Sequence, residues 1–189
     1  MEYFDIVDEN GIPTGRIVAR KEAHEKGQPH RSAHVWITRK KDGKTEVLLQ
    51  KRSQNKDSFP GMYDTSSAGH IPAGQEPEES ALRELMEELG ISAEPEDLAF
   101  IGTFHIRFEK VFHGRLFRDD EIAWVYRLEK EIDERTLVLQ EEEVEDYAWF
   151  DPYEVADEVK NGSLRFCVPL EGMNLLLADL ARRKAGNKA

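Results

Sequence analysis

In the stretch RELMEELG, Arg83 to Gly90, three glutamates stand at spacings that a helix gathers onto one side: Glu84, Glu87 and Glu88. Like charges three and four residues apart repel and weaken a helix. Two explanations are open. One is a charged face in water, which is common on surface helices. The other is a set of hard oxygen ligands for magnesium or manganese, ions that take carboxylates together with phosphate oxygens and water. At about 100° per residue, Leu82, Leu85, Met86 and Leu89 fall opposite the glutamates. The expected helix therefore buries that apolar side and turns its acids directly away from it.

The residues in front of this helix extend the pattern. GHIPAGQEPEESALRELMEELGI, Gly69 to Ile91, resembles the box of the Nudix hydrolases, GX5EX7REUXEEXGU with U a bulky apolar residue. Every fixed position agrees except one: Gln75 stands where the family has Glu, with Glu76 beside it. The resemblance implies that Glu84, Glu87 and Glu88 hold Mg2+ or Mn2+, with Glu87 and Glu88 acting in catalysis. It makes Gly69 and Gly90 structural, and has Arg83 orient a neighbouring carboxylate or brace the loop. An i,i+4 pair of Arg83 with Glu87 is compatible with that. A neutral amide at Gln75 supplies no charge, so either Glu76 substitutes or that family contact is missing.

Four further stretches, EYFDIVDENGIPTG, QPHRSAHVWI, LLQKRSQNK and FPGMYDTSSAGH, resemble the Nudix branch related to type 1 isopentenyl-diphosphate isomerases, over about residues 1–150. That isomerase protonates an allylic carbon with a cysteine placed immediately before the Gly-His of its degenerate box; here the position is Ala68. The isomerase has also lost most of the box carboxylates that this chain keeps. Several metal-bound carboxylates suit attack on phosphorus, where cations neutralise the diphosphate and acidify a water. Hydrolysis of a nucleoside or other organic diphosphate is therefore expected. Isomerisation is the enzymatic alternative, and a diphosphate-binding module without turnover is the other, motivated by Gln75. By resemblance, Arg52 and Lys56 bind the diphosphate, His30 and His70 are metal ligands, and Glu121 contacts the metal or activates the water from a strand start. Asp119, two residues earlier, matches a further isomerase ligand. The plainer readings are an exposed basic loop for Arg52 and Lys56 and a buried, hydrogen-bonded ring for His30. His34 shares a strand face with Trp36 and reads as structural.

The elements that must position these groups follow from turn signals and periodicity. EYFDIVDENGIPTGRIVAR reads as a hairpin around Gly11, KEAHEKG as a short helix closed by Gly27, and SAHVWIT with EVLLQKR as strands joined at Asp-Gly. A short strand near Asp64 to Ala68 precedes the box helix, which starts at Pro77 and stops at Gly90. LAFIGTFHIRF, EIAWVYRLE and VEDYAWF are further strands. PYEVADEVKNG and PLEGMNLLLADLARRK are helices, the latter with an apolar face of Leu175, Leu176 and Leu180. This gives an α+β fold, a Nudix-type α/β/α sandwich with a mixed sheet between helices. We expect a single domain over 1–189, with an N-terminal hairpin extension (about 1–30) and a C-terminal helix (about 169–184).

With 26 basic and 38 acidic residues and a formal net charge of −12, the average field repels nucleic acid polymers and acidic membranes. A small-molecule diphosphate must be met by local cations or bound metal. No apolar run is long enough to span a bilayer and no charged-then-apolar start resembles a signal peptide, which points to the cytoplasm. The single cysteine, Cys167, excludes an internal disulfide and reads as a small buried residue. The sequence leaves a homodimer open.

Overall fold

The structure is a computed structural model and describes residues 2–56 and 58–186. It opens with an antiparallel pair, β1 (Tyr3–Val7) and β2 (Pro13–Ala19). Gly11 turns between them at φ 77° and lies so close to the indole of Trp124 that any side chain there would overlap the ring. Helix α1 (Arg20–Lys26) follows and is stopped by Gly27 in the left-handed region.

A seven-stranded sheet forms the middle layer. Its strands are β3 (His30–Lys41), β4 (Lys44–Arg52), β5 (Tyr63–Asp64), β6 (Ser67–His70), β7 (Leu98–Phe112), β8 (Arg115–Leu128) and β9 (Val144–Phe150). The path runs β5-β4-β3-β8-β7, with β6 on β3 and β9 on β4. β3 and β8 are parallel and the other pairs antiparallel, so the sheet is mixed. Side chains alternate across it. Val35, Ile37 and Leu48 pack with Leu85 and Leu89 of helix α2 (Pro77–Leu89). Trp36, Val47 and Leu49 pack on the opposite face with Val155 of α3 (Pro152–Lys160) and with Met173 and Leu176 of α4 (Leu170–Gly186). Trp36, Leu85, Leu89 and Leu176 are fully buried; truncating such a leucine to Ala costs about 2–5 kcal/mol.

Three expectations change. The strand foreseen near Asp64 to Ala68 is two pieces, β5 and β6, on different partners. The β7–β8 hairpin is much longer than its apolar runs and turns at His113–Gly114, both left-handed at φ 48° and 75°. Glu121 consequently lies well inside β8 rather than at a strand start. Finally, the box helix does not turn all of its acids away from its buried side: Glu87 faces out, but Glu88 does not. Met86 is 48% exposed and Glu88 only 5%, because the stripe against the sheet runs through Ala81, Leu85 and Glu88.

Candidate active site

β6 carries two groups of donors on its two faces. Ser67 and Gly69 face α2. The Glu88 carboxylate accepts hydrogen bonds from the Ser67 hydroxyl (2.7 Å), the Ala68 N–H (3.2 Å) and the Gln50 amide (3.3 Å). Burial, with Glu84 adding repulsion, pushes its carboxyl up to about 8. Glu84 lies against Gly69, where a β-carbon would overlap its carboxylate, so the glycine makes the cradle. Burial also raises the Glu84 carboxyl. Glu87 is half exposed. Arg83 holds Glu87 at 2.9 Å and Glu84 at 2.8 Å, and donates to the His70 carbonyl at 3.2 Å. Gly90 ends α2 at φ 68°, packed on Val138.

Ala68 and His70 point to the other face. There the parallel pairing sets His30 beside Glu121, and the β3–β6 register sets Ser32 beside His70. α1, packed on β8, adds His24. One ligand atom from each of His24, His30, His70 and Glu121 lies within 4.8 Å of all the others. Nε2 of His70 is 3.2 Å from Glu121, and Nε2 of His30 is 3.7 Å from it; Asp119 lies 3.8 Å from His24 and 4.0 Å from His30. Donors about 2.1 Å from a shared ion stand at comparable mutual spacings. The Nδ1 atoms of His24 and His30 sit 3.0 and 2.8 Å from the Arg20 and Gln28 carbonyls. That contact puts the proton on Nδ1 and leaves the Nε2 lone pair facing inward. The Nε2 atoms of all three histidines and Oδ1 of Asp119 are buried without a hydrogen-bond partner among the described residues. These residues therefore fit a divalent cation.

Burial keeps His24 and His30 neutral, pushing His24 down to about 3 and His30 in the same direction. Asp119 and Glu121 share the space, and burial allows them little more than one charge. The proton sits on Asp119, raised to about 10 by burial and by Glu121. Burial opposes the Glu121 anion most, but His70, His30 and Ser32 together outweigh that and hold the carboxyl well below its usual range.

The NUDIX domain profile matches residues 28–166. The chain belongs to the Nudix family. It is 40% identical to an uncharacterized Nudix hydrolase of Clostridium acetobutylicum, over 76% of this chain and 66% of that protein. It is 41% identical to Nudix hydrolase 3 of Arabidopsis thaliana, over 81% of this chain but 19% of that protein. The matched region is thus less than two thirds of either relative's length. Among solved structures, a Deinococcus radiodurans protein superposes with a TM-score of 0.66 at 16% identity, covering 92% of this chain and 97% of its own, a likeness of fold. The Caenorhabditis elegans Ap4A hydrolase superposes with a TM-score of 0.50 at 25% identity, covering 80% and 97%.

Within this Nudix fold, the odd box residue has a local job. The Gln75 side-chain oxygen accepts from the Ser80 hydroxyl at 3.2 Å, and its backbone carbonyl accepts from Arg31 at 3.1 Å. A neutral acceptor suffices for both. Arg52 and Lys56 lie on the Glu88 side, each already paired: Arg52 with Asp64 at 2.9 Å and with the Ser58 carbonyl at 3.0 Å, Lys56 with Glu143. Burial works against the Arg52 cation, and Asp64 more than offsets it. Cys167 sits near the same pair, its thiol raised by burial. His34 is buried against Phe104 on the α4 face. The residue that sequence reasoning missed is His24. Its signal was Ala23-His24 between charged residues, the buried pair of an otherwise solvated turn.

Proposed function

We propose that the protein hydrolyses the diphosphate linkage of a small nucleoside or other organic diphosphate with the help of divalent metal. The observation that carries this reading is the orientation of the box helix: Glu84 and Glu88 turn inward onto β6, beside Arg52 and Lys56, instead of outward into water. Metal bound there would neutralise the diphosphate and acidify a water for attack on phosphorus. Glu84, Glu87 and Glu88 would hold Mg2+ or Mn2+, an oxygen-ligand site. His24, His30, His70 and Glu121 would hold a second ion, and three imidazoles favour Mn2+ over Mg2+. Arg83 fixes the direction of two carboxylates, and Glu121, as an anion, can take a proton from water or bind metal. Arg52 and Lys56 would turn from their acidic partners toward the phosphates. We take the chain as one working unit, since β1 and α1 reach the histidines and α4 closes the second core.

The isomerase reading keeps one observation in its favour, the histidine cluster, which includes both histidines expected from that resemblance. Against it stands Ala68, whose methyl offers no proton. The test is a panel of organic diphosphates, isopentenyl diphosphate included, incubated with pure protein and Mg2+ or Mn2+. Release of phosphorylated fragments, lost in Glu88→Gln, supports hydrolysis. Dimethylallyl product without phosphate release would overturn it, and metal-dependent binding with no turnover would assign a binding module.

A further inference from the structure

Phe4 lies on β1, before the matched family segment, and is fully buried. Its ring stands 4.8 Å from His30 at 6° between planes and 4.7 Å from His70 at 25°. It also meets His24 edge-on at 6.1 Å. The imidazoles are 5.0 to 5.2 Å from one another, so the four rings form a compact group with Phe4 as its apolar member. The three histidines differ in what holds them. His24 and His30 are each anchored through Nδ1 to a backbone carbonyl of the adjoining segment. Nδ1 of His70 has no such carbonyl among the described residues, and the ring's polar neighbour is Glu121, which belongs to the same cluster. Such outer contacts normally fix a metal-binding imidazole. For His70 the fixed surface available is the Phe4 ring.

β1 is well placed to provide that surface. The Tyr3 carbonyl accepts from the Ala73 N–H at 2.8 Å, and the Asp5 carboxylate accepts from the Gly74 N–H at 2.7 Å and pairs with Arg31 at 3.4 Å. Residues on both sides of Phe4 are thereby tied to the loop that follows His70. Packing alone can then set the ring's tilt, because moving it would open a gap beside a fully buried phenyl group.

We infer that Phe4 is a positioning residue for His70, doing by packing what the Arg20 and Gln28 carbonyls do for His24 and His30 by hydrogen bonding. The inference rests on the reading of the histidine cluster as a metal site. The experiment is a double-mutant cycle on the full chain with Phe4→Leu, His70→Ala and the pair, plus Phe4→Met, whose flexible unbranched chain can fill part of the space left by the ring. Each is freed of metal and titrated with Mn2+ by calorimetry, and with Co2+ followed by its visible absorption. Phe4→Leu should weaken Mn2+ binding about tenfold, as loss of an outer-shell partner does, and shift the Co2+ bands. In the His70→Ala background the same change should alter affinity by less than about twofold, the non-additivity expected of coupled residues. Phe4→Met should fall between parent and Phe4→Leu, and carries the test if Phe4→Leu does not fold. Unchanged affinity and Co2+ spectrum in the Phe4 variants, or an equal loss with and without His70, would overturn the inference. A parent protein that binds neither ion would overturn the metal reading along with it.

Discussion

The acids of α2 and the histidines approach opposite faces of β6, and they are restrained by different means. Glu88 is held by three donors on one of its oxygens, Oε2: the Ser67 hydroxyl, the Ala68 N–H and the Gln50 amide. Arg83 likewise pairs directly with Glu84 and Glu87. His24 and His30 are held by their far nitrogens, which leaves the near ones unpartnered and buried. A buried polar atom without a partner costs roughly 1–3 kcal/mol. The carboxylate side is therefore largely satisfied without metal and the histidine side is not. Metal should matter to stability mainly at the histidines and to phosphorus chemistry mainly at the acids.

The sharpest break of that division would come from turnover. Glu88→Gln and Glu84→Gln should each lower kcat/KM on a cleaved diphosphate by about 10²–10³-fold, the scale for losing a charge-placing group, with His24→Gln falling less. Equal losses in steady-state assays would end the division of labour. Next in size is stabilisation by metal. At about one hundred times its Kd, Mn2+ should add about 2.7 kcal/mol to the parent in denaturant melts. His24→Gln should forfeit most of that gain and Glu84→Gln should keep it; the reverse pattern would place the stabilising ion on α2. Gly69→Ala drives a methyl into the Glu84 carboxylate and should cost about 1–3 kcal/mol, as overpacking does. Adding Glu84→Ala should recover much of the loss, and a melt showing none would move the strain elsewhere.

A further contrast is one of pH. Glu88 has a folded pKa of about 8 against a usual 4.5. Its contribution to the metal-free fold is complete below about pH 4.5 and is lost as pH rises through about 8. Glu88→Gln should thus melt higher than the parent at pH 8.5 and gain less at pH 5. For His24, lowered from 6.5 to about 3, the sign is opposite: its contribution is complete above pH 6.5 and is lost as pH falls toward 3. His24→Gln should gain on the parent as the solution is acidified. Parallel pH profiles for the two variants would erase the contrast.

The same contrast explains what could be read from the chain. The α2 side is a contiguous stretch whose turn residues and spacings sit side by side, from Gly69 to Ile91. Its error, the direction of Glu88, came from weighing the large Leu82 and Met86 over the small Ala81, which with Leu85 marks the stripe that touches the sheet. The mixed sandwich also followed from alternation and turn residues, whereas the reach of β7 and β8 did not, because polar residues and a His-Gly turn carry the ladder past its apolar runs. The histidine side joins α1, β3, β6 and β8 through long-range pairing. His30, His70 and Glu121 could be named only through a family likeness, and His24 lay hidden among Glu and Lys neighbours that suit a solvated helix.

Two of the groups around those imidazoles, His24 itself and Phe4, precede residue 28, where the shared domain begins. A family tree drawn from the 28–166 segment alone weighs every acid of the box and is blind to both. Branches sorted in that way can pool chains that possess the nitrogen pocket with chains that lack it, and the leading hairpin together with α1 is the character that would separate them.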